Sequence, residues 1–351
     1  MKSVLLACLL LATDSWYRTT VVEGDGYFPV LIALQNDDLL GVIRGGAAHR
    51  GQAGRLDLVR STDGGKTWSK PAVLVDGPQD DRNPALGQLA DGTLVAAFTV
   101  LEWAAENATG PEKNVRRNLG VRTMRSTDGG ATWTKPTLSE EILALYRSEG
   151  GTETSGSPYG KIVQLKDGTA LMAVYFSFPD DRKHQSWLFR STDSGKTWGQ
   201  PTRLGEHFNE TGLVVTRDGR VLAAMRSEVG RYLSVISSDD DGKTWSEPVR
   251  VTAENEHPAD LIELSDGRIL MTYGQRNSPR GVEALISNDG GRSWNNESKV
   301  ILADDIQYGD NGYPSSVETA PGTIVTMYYQ VDDPDGLQRG AKSKVIVWQA
   351  K

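Results

Sequence analysis

The residues of this sequence with the clearest chemical potential are arginines, a glutamate and a tyrosine that lie where apolar runs begin or end. Glu210 opens one such run, Arg226 closes the next, and Tyr313 opens a later one. Arg44 also closes an apolar run, and Arg280 lies in the segment that follows another. Guanidinium groups bind carboxylates through paired hydrogen bonds. A fold that gathers these side chains would therefore suit an anionic sugar.

An eight-residue motif, S-x-D-x-G-x-[ST]-W, indicates the architecture that must position those residues. It occurs five times, at 61–68, 126–133, 191–198, 238–245 and 287–294. Each copy follows a short apolar run and precedes an extended run, which predicts a strand, a turn and a strand. Its aspartate accepts backbone hydrogen bonds and its glycine takes positive φ, so we interpret the motif as a hairpin staple. A calcium loop would need a second carboxylate at a fixed offset, and none recurs.

A second pattern alternates with this motif: an extended run, a turn that is often Asp-Gly, and another apolar run. Six copies can be traced, with turns at 36–38, 91–92, 167–168, 218–219, 266–267 and 321–322. Two hairpins make a four-stranded antiparallel blade, so the chain is predicted to be all-β and to form a six-bladed β-propeller. The sixth blade lacks the motif. We expect segment 343–348 to supply its third strand and segment 16–22 its fourth, closing the ring, and we expect no helix of appreciable length.

The expected propeller places the candidate residues on one face. The first strand of each blade lines the central channel, and its N-terminal end opens where ligands bind, while the motif turns lie away from that face. The starts of the first strands, the ends of the second strands and the loops that follow also hold Asp80, Arg82, His257, Arg276 and Asp310. Longer segments near 101–120 and 145–155 are expected to lie on the faces of the propeller, where insertions often carry specificity.

Composition and charge narrow the classes of function. The chain has 351 residues, 38% hydrophobic content and a net charge of −8, which suits a globular protein and argues against nucleic acid or an anionic membrane as a partner. One lysine followed by an apolar run predicts a signal peptide over residues 1–15, too short to span a bilayer. We therefore expect a secreted or periplasmic propeller over 16–351. Cys8 is the only cysteine and the four histidines are scattered, so no cofactor or metal site is expected.

The five motif copies resemble the Asp boxes of the sialidase (neuraminidase) superfamily, and the resemblance covers nearly the whole mature chain. In that family a glutamate opens a strand, a D-G turn follows, and the next strand ends in arginine, as residues 209–226 do here. The resemblance implies that Tyr313 is a nucleophile and Glu210 its carboxylate partner. It also implies that Arg226 and Arg280 bind the substrate's carboxylate.

Two positions depart from the family pattern. The first blade of a sialidase begins with an arginine, and Phe28 stands in its place here, so Arg44 is a candidate substitute. The family's acid/base aspartate is also missing, because the loop 45–54 contains no carboxylate. His49 and Asp81 are the candidate replacements.

The sequence hypothesis is a secreted, exo-acting glycoside hydrolase that releases a terminal acidic sugar with retention from a glycan or glycoconjugate. Two alternatives remain open: a propeller that hydrolyses or eliminates another acidic sugar, and a non-catalytic glycan-binding propeller. Geometry offers a criterion. The Tyr313 hydroxyl should lie within hydrogen-bond reach of Glu210, and Arg44, Arg226 and Arg280 should converge on one point.

Overall fold

The structure, a computed structural model, describes residues 16–49, 51–103, 116–151, 155–178, 184–332 and 340–351. The expected signal peptide and part of the expected insertion after residue 101 lie outside these ranges. The first strand, β1 (Tyr17–Val22), is followed by blade 1, which consists of β2 (Tyr27–Ala33), β3 (Leu39–Gly45), β4 (Arg55–Ser61) and β5 (Ala72–Val75). Blade 2 consists of β6 (Asp80–Gln88), β7 (Leu94–Trp103), β8 (Arg116–Ser126) and β9 (Thr137–Leu138).

The remaining blades follow the same antiparallel order, apart from one short segment at the inner edge of blade 3. Blade 3 contains β10 (Ser157–Pro158), β11 (Gly160–Lys161), β12 (Val163–Gln164), β13 (Ala170–Ser177), β14 (His184–Ser191) and β15 (Gly199–Glu206). Blade 4 contains β16 (Phe208–Val215), β17 (Val221–Ser227), β18 (Leu233–Ser238) and β19 (Val249–Arg250). Blade 5 contains β20 (Glu256–Glu263), β21 (Ile269–Gln275), β22 (Arg280–Ser287) and β23 (Val300–Ile306). Blade 6 contains β24 (Asn311–Ala320), β25 (Thr323–Val331) and β26 (Ala341–Gln349).

The ring closes as the sequence predicts. Strand β1 pairs antiparallel with β26, so the N-terminal strand is the outermost strand of a blade whose other three strands come from the C-terminus. The six-bladed, all-β propeller is thereby confirmed. Apolar side chains of adjacent blades pack against each other around the ring, and this interblade packing forms the core.

Each S-x-D-x-G motif connects the third and fourth strands of its blade. In the first copy, Asp63 Oδ1 accepts hydrogen bonds from the Ser61 hydroxyl at 2.8 Å and the Thr67 amide at 2.9 Å, and Oδ2 accepts the Thr67 hydroxyl at 2.6 Å. The other four copies repeat these three bonds. The carboxylate is thus occupied by the motif's own donors, as a hairpin staple requires.

The motif also fastens neighbouring blades to each other. A Cβ on Gly195 would lie 2.7 Å from Val95 in the preceding blade, and Gly195 has φ of 77°. Arginines add polar links in the same direction. Arg125, immediately before the second motif, donates to the carbonyl of Ser194 in the third at 2.6 Å, and Arg190, immediately before the third, donates to that of Gly242 in the fourth at 2.6 Å. The repeat therefore staples the ring as well as each hairpin.

One helix corrects the expectation that the chain has none of appreciable length. The helix α1 (Glu140–Ser148) buries Ile142, Leu143 and Tyr146, and the Tyr146 ring stacks on Phe176 with centroids 5.4 Å apart. Its nine residues are too few for a clear helical period in the sequence. Burial of one apolar face on blade 3 stabilises a segment this short.

The innermost strand of blade 3 departs from the other five. The short strand β11 leaves its own blade and pairs in parallel with β6. Lys161 of β11 reaches across the channel, where its Nζ lies 2.6 Å from Asp260 Oδ2 and 2.6 Å from the Ser316 carbonyl. Both partners of this ion pair are nearly buried, so a satisfied polar contact fills the channel at this level.

No helix in the part of the chain that the structure describes is long and apolar enough to cross a membrane.

Candidate active site

A β-bulge opens the innermost strand of every blade except blade 3 and re-aims the side chains there. The strand register shifts between residues 27 and 30, 82 and 85, 208 and 211, 256 and 259, and 312 and 315. Phe28, Asn83 and Tyr313 each have φ of 50° and immediately precede a proline. Side chains in such left-handed conformations are uncommon and cluster at functional sites. All three line one cavity of about 790 Å³.

Tyr313, Glu210 and Arg226 form a hydrogen-bonded chain in the wall of this cavity. The Tyr313 hydroxyl donates to Glu210 Oε1 at 2.5 Å, and Arg226 Nη1 donates to Glu210 Oε2 at 2.5 Å. Residues from β24, β16 and β17 therefore meet at one place, across blades that are distant in the chain. The first part of the geometric criterion, a phenol within reach of Glu210, is met.

The electrostatics of this cluster favour an ionised Glu210 beside a neutral phenol. Burial opposes the charge of Glu210, but Arg226 and the Tyr313 hydroxyl outweigh it and hold the pKa of that carboxyl below its usual value. Burial, together with the Glu210 charge, raises the pKa of Tyr313 well above its ordinary value. The pair can therefore hand a proton from the phenol to the carboxylate as the oxygen bonds to another atom.

Arg276 adds a second guanidinium beside the phenol. Its charge lies 5.7 Å from the centre of the Tyr313 ring, and Nη2 donates to the Asn311 carbonyl at 3.1 Å. The Nε atoms of Arg226 and Arg276 are buried and have no hydrogen-bond partner among the described residues. Buried donors of this kind normally find an acceptor, so these two atoms offer hydrogen bonds to an anion.

The expected convergence of three arginines is not found, because Arg44 and Arg280 lie elsewhere. Arg44 is fully buried and paired with Asp80, its Nε and Nη2 lying 2.9 and 2.8 Å from Oδ1. Its Nη1 donates to the carbonyls of Ala47 and Ala48 at 3.0 Å, so it braces the loop that carries His49. Arg280 donates to the Gln307 carbonyl and lines a separate surface cavity. A position at a strand end did not reveal which side of the blade each side chain takes.

Asp81 is also outside the cavity that holds Tyr313. Its Oδ2 accepts the Gly77 amide at 2.7 Å, and burial raises the pKa of Asp81 to about 6. Arg82 and Asn83, which follow it at the β-bulge of β6, line the cavity instead. The raised pKa of Asp81 would suit an acid/base, but its position would not.

His49 lines the cavity and is held by Asp310. The His49 Nδ1 atom lies 2.7 Å from Asp310 Oδ2, and the Tyr329 hydroxyl donates to Asp310 Oδ1 at 2.5 Å. The imidazole packs edge-on against Phe28 with centroids 5.1 Å apart, and Phe28 contacts the Tyr313 ring at 5.0 Å. The two rings therefore lie against the same phenylalanine.

Three residues that the sequence analysis located but gave no role complete the site: Arg82, Arg276 and Asp310. The Arg82 guanidinium lies 5.2 Å from the centre of the Phe28 ring and 3.3 Å from Asp80. Each of the three lies at or next to the end of an inner strand, on the ligand-binding face. Position at a strand end was the only sign of these residues in the sequence. Asp81 and Arg44 have similar positions, and only the contacts in the structure show that they lie outside the site.

The far side of the cavity is polar and is built by blades 3 and 4 with α1. His184 Nδ1 accepts a hydrogen bond from Asn209 Nδ2 at 3.0 Å and lies 3.2 Å from Glu228 Oε2. Arg231, Ser157 and Tyr146 line the same region. Its hydroxyls, amide and charges suit the hydroxyl groups of a carbohydrate.

Among the described residues, no cluster of histidine, cysteine, aspartate and glutamate is placed to hold a metal ion.

The chain is a six-bladed propeller that carries Asp boxes, and a tyrosine, a glutamate and an arginine meet in one of its cavities. Comparison with known proteins identifies the class to which such a protein belongs. The family model described as BNR repeat-like domain matches residues 37–326, so the chain belongs to that family, within the sialidase superfamily. A curated sialidase of Bacteroides fragilis is 25% identical over 284 residues, which is 72% of this chain and 50% of that protein. The chain thus spans half the length of that relative.

Solved structures share the fold. A Dyadobacter fermentans protein of unknown function superposes with a TM-score of 0.78 at 24% identity, covering 96% of this chain and 99% of that chain. The Hadza microbial sialidase Hz136 superposes with a TM-score of 0.67 at 18% identity, covering 91% of this chain and 65% of that chain. At these sequence identities the structural similarity establishes the propeller fold alone.

Proposed function

We propose that this protein is an exo-acting glycoside hydrolase of sialidase type, which releases a terminal acidic sugar from a glycan or glycoconjugate. The observation that carries the proposal is the short contact between the Tyr313 hydroxyl and Glu210, 2.5 Å, in the wall of a polar cavity. Sialidases are the glycosidases that use a tyrosine nucleophile. Membership of the BNR repeat-like family supports the same chemistry.

In the proposed reaction, Tyr313 attacks the anomeric carbon while its proton passes to Glu210, the glycosidic C–O bond breaks, and the leaving oxygen takes a proton from an acid/base. A neutral phenol approaches a carbon that bears a carboxylate more easily than a charged nucleophile would. Arg226 holds Glu210 ionised and ready to take the proton. Water then gives a proton to the same acid/base and displaces the tyrosine, Glu210 returns its proton to the phenol oxygen, and two displacements leave the anomeric configuration retained.

The substrate's carboxylate is proposed to bind between Arg226 and Arg276. Both have a buried Nε donor without a partner among the described residues, and both lie next to Tyr313. A carboxylate there would satisfy both donors and sit beside the reacting carbon.

Phe28 favours a second candidate, hydrolysis or elimination of an acidic sugar other than sialic acid. It replaces the arginine with which the first blade of sialidases begins, and its ring lies between Tyr313, His49 and Arg82. An aromatic surface at this position suits an apolar face of the sugar rather than an oxygen of its carboxylate. Another ulosonic acid or a uronic acid is therefore an alternative substrate.

The experiment is turnover of aryl glycosides of sialic acid, of other ulosonic acids and of uronic acids by wild-type protein and the variant Tyr313→Phe. We expect wild-type activity on at least one acidic glycoside and a loss of about 10³-fold or more in kcat in the variant. Tyr328→Phe is the matched control, because Tyr328 is buried in the same blade outside the cavity. Binding without turnover would favour the glycan-binding alternative, and a fully active Tyr313→Phe would remove Tyr313 as nucleophile.

We further propose that the protein acts outside the cytoplasm, because residues 1–15 have the charge and apolar run of a signal peptide. N-terminal sequencing of the protein from a native culture checks this. A mature chain that begins near residue 16 in the medium or periplasm is expected, and an intact Met1 in the cytoplasmic fraction would contradict it.

A further inference from the structure

Breaking a glycosidic bond to a sugar requires a proton for the leaving oxygen. The inference below, which rests on the proposed function, concerns the residue that supplies this proton. The loop 45–54 holds no carboxylate. Of the carboxylates that line the cavity, Glu210 is engaged by Tyr313 and Arg226, and Glu228 lies beside His184. The donor must therefore be sought among other groups.

His49 has the geometry of an acid/base. Its Nδ1 faces the Asp310 carboxylate at 2.7 Å, and that carboxylate is fixed from the other side by the Tyr329 hydroxyl at 2.5 Å. Asp310 thus engages Nδ1, and the side chain is 23% exposed and lines the cavity. An imidazole held through one nitrogen presents the other in a fixed direction.

The surrounding residues keep the imidazole in this position. The Arg82 Nη1 atom donates to the His49 carbonyl at 3.0 Å, while Arg44 binds the carbonyls of Ala47 and Ala48. Phe28 separates the imidazole from the Tyr313 ring and contacts both. A sugar lying on the Phe28 face would have the phenol on one side of its anomeric carbon and the imidazole near the oxygen that leaves.

We propose that His49 is the acid/base of the reaction and that Asp310 is its positioning residue, replacing the single aspartate that the family pattern leads one to expect. In the first step, the Tyr313 oxygen bonds to the anomeric carbon, the phenol proton moves to Glu210, the glycosidic C–O bond breaks, and the leaving oxygen takes the Nε2 proton of the imidazolium. In the second step, neutral Nε2 takes a proton from water. That water oxygen bonds to the anomeric carbon, the bond to Tyr313 breaks, and Glu210 returns its proton.

The other groups in the cavity fit this role less well. His184 contacts Asn209 and Glu228 on the side of the cavity built by blades 3 and 4, whereas His49 lies against Phe28, which also contacts the Tyr313 ring. The His184 ring packs on Tyr175, whose hydroxyl accepts a hydrogen bond from Asn83. Asp81 lies outside the cavity.

The charges facing His49 determine the expected pH profile. Burial lowers the pKa of His49, Asp310 raises it, and Arg82 and Arg44 lower it, so the pKa lies below the ordinary 6.5. Tyr27 also packs against the imidazole, with ring centroids 5.8 Å apart, and the Tyr329 hydroxyl binds Asp310. Because the acid form protonates the leaving group, kcat/KM should fall as pH rises through a value below 6.5. Asp310→Asn removes the group that raises the pKa, so it should shift this fall to lower pH.

The test compares leaving groups. For His49→Ala, we expect kcat/KM for sialyllactose to fall by about 10²- to 10⁴-fold, the usual contribution of general acid catalysis. The loss for 4-nitrophenyl sialoside, whose leaving group needs no proton, should be less than about 10-fold in the first step. If another acidic sugar is the substrate, its alkyl and 4-nitrophenyl glycosides replace these two probes.

Two further variants guard against a structural explanation. His49→Gln keeps the size and a hydrogen bond to Asp310, and it should show the same dependence on the leaving group. His207→Asn alters an exposed histidine outside the cavity and should leave both substrates unaffected. Equal losses on both substrates, or an unchanged pH profile in Asp310→Asn, would overturn the assignment of His49 while leaving Tyr313 untouched. If the wild type turned over no glycoside of sialic acid, of another ulosonic acid or of a uronic acid, the proposed function itself would be overturned.

Discussion

At the scale of single residues, the site depends on side chains that a bulge has turned inward. Tyr313, Phe28 and Asn83 share a φ of 50° and a following proline, in three different blades. The residue before a proline is already conformationally restricted, and the left-handed region costs a non-glycine residue about 1–3 kcal/mol. The ring of blades supports this strain at the three positions that line the cavity.

A buried histidine beneath the arginines leads to a prediction about stability. Both ring nitrogens of His257 are buried without a hydrogen-bond partner among the described residues. Burial and the neighbouring charges of Arg226, Arg276 and Arg231 lower its pKa far below 6.5. The folded protein keeps this ring neutral, whereas the unfolded chain binds a proton once the pH falls below about 6.5. Stability from this group is therefore present at neutral pH and lost as the pH falls.

We expect the free energy of unfolding to lose about 1.4 kcal/mol per pH unit through His257 below about pH 6.5. Urea denaturation of wild type and His257→Asn between about pH 7 and about pH 5 isolates this contribution, because other titrating groups are common to both proteins. The variant should show the shallower decline. Parallel curves for the two proteins would contradict the prediction.

At the scale of elements, the Asp-box hairpin is both a turn and a contact between blades. Gly195 leaves no room for a Cβ, which would lie 2.7 Å from Val95 of the preceding blade. Gly129, in another copy of the motif, has a similar positive φ, 70° against 77°, but a Cβ added there would meet nothing within 4 Å. The two glycines therefore separate the cost of backbone conformation from the cost of interblade packing.

We expect Gly129→Ala to lower the free energy of unfolding by about 1 kcal/mol, because alanine tolerates positive φ poorly. Gly195→Ala should cost about 1–3 kcal/mol more than that, because it also overpacks the contact with Val95. Chemical denaturation of the two variants measures the difference. Equal losses would contradict the inference that Gly195 packs closely against the preceding blade.

The sequence predicted the features that follow from its repeats. It was less informative about the direction in which individual side chains point. The motif and the alternating Asp-Gly turns were sufficient to predict six blades and the closing strand β1, since these patterns are local. The short helix α1 was missed because its stability comes from burial of Tyr146 against blade 3. Arg44 and Asp81 lie at suitable strand ends, but their side chains turn toward Asp80 and Gly77. The bulges at the starts of the inner strands decide that orientation, and one sequence does not show where they fall.

At the scale of the whole molecule, one N-terminal strand closes the ring. Strand β1 covers the edge of β26, and Arg18 links it to blade 5 through Asp305 and the Leu302 carbonyl. Tyr313 and Tyr329 lie on the inner strands of the same blade. Loss of β1 would expose a strand edge and loosen the blade that carries the proposed nucleophile.

A chain that begins at residue 23 and so lacks β1 should therefore have a free energy of unfolding lower by about 3 kcal/mol or more. It should also aggregate more readily, because the hydrogen bonds and packing of a whole strand are lost. A chain that begins at residue 16, which keeps β1, is the matched control and should have the same stability as the full chain. Thermal unfolding and light scattering measure both effects. A protein of undiminished stability without β1 would contradict the closure mechanism.

The propeller brings Tyr313, Glu210 and Arg226 together from different blades, and the proposed result is a covalent bond between the sugar and Tyr313. Trapping that intermediate tests the proposal directly. An analogue of the acidic sugar that is turned over, with one fluorine on the anomeric carbon as leaving group and one on the neighbouring carbon, forms the first bond rapidly and loses it slowly, so the proposed intermediate accumulates. Mass spectrometry of the digested protein then locates the sugar. We predict an adduct on the peptide that contains Tyr313, and none in Tyr313→Phe. Inactivation with the sugar attached to another residue would contradict the central claim, as would steady turnover of the unfluorinated glycoside with no covalent species formed from the analogue.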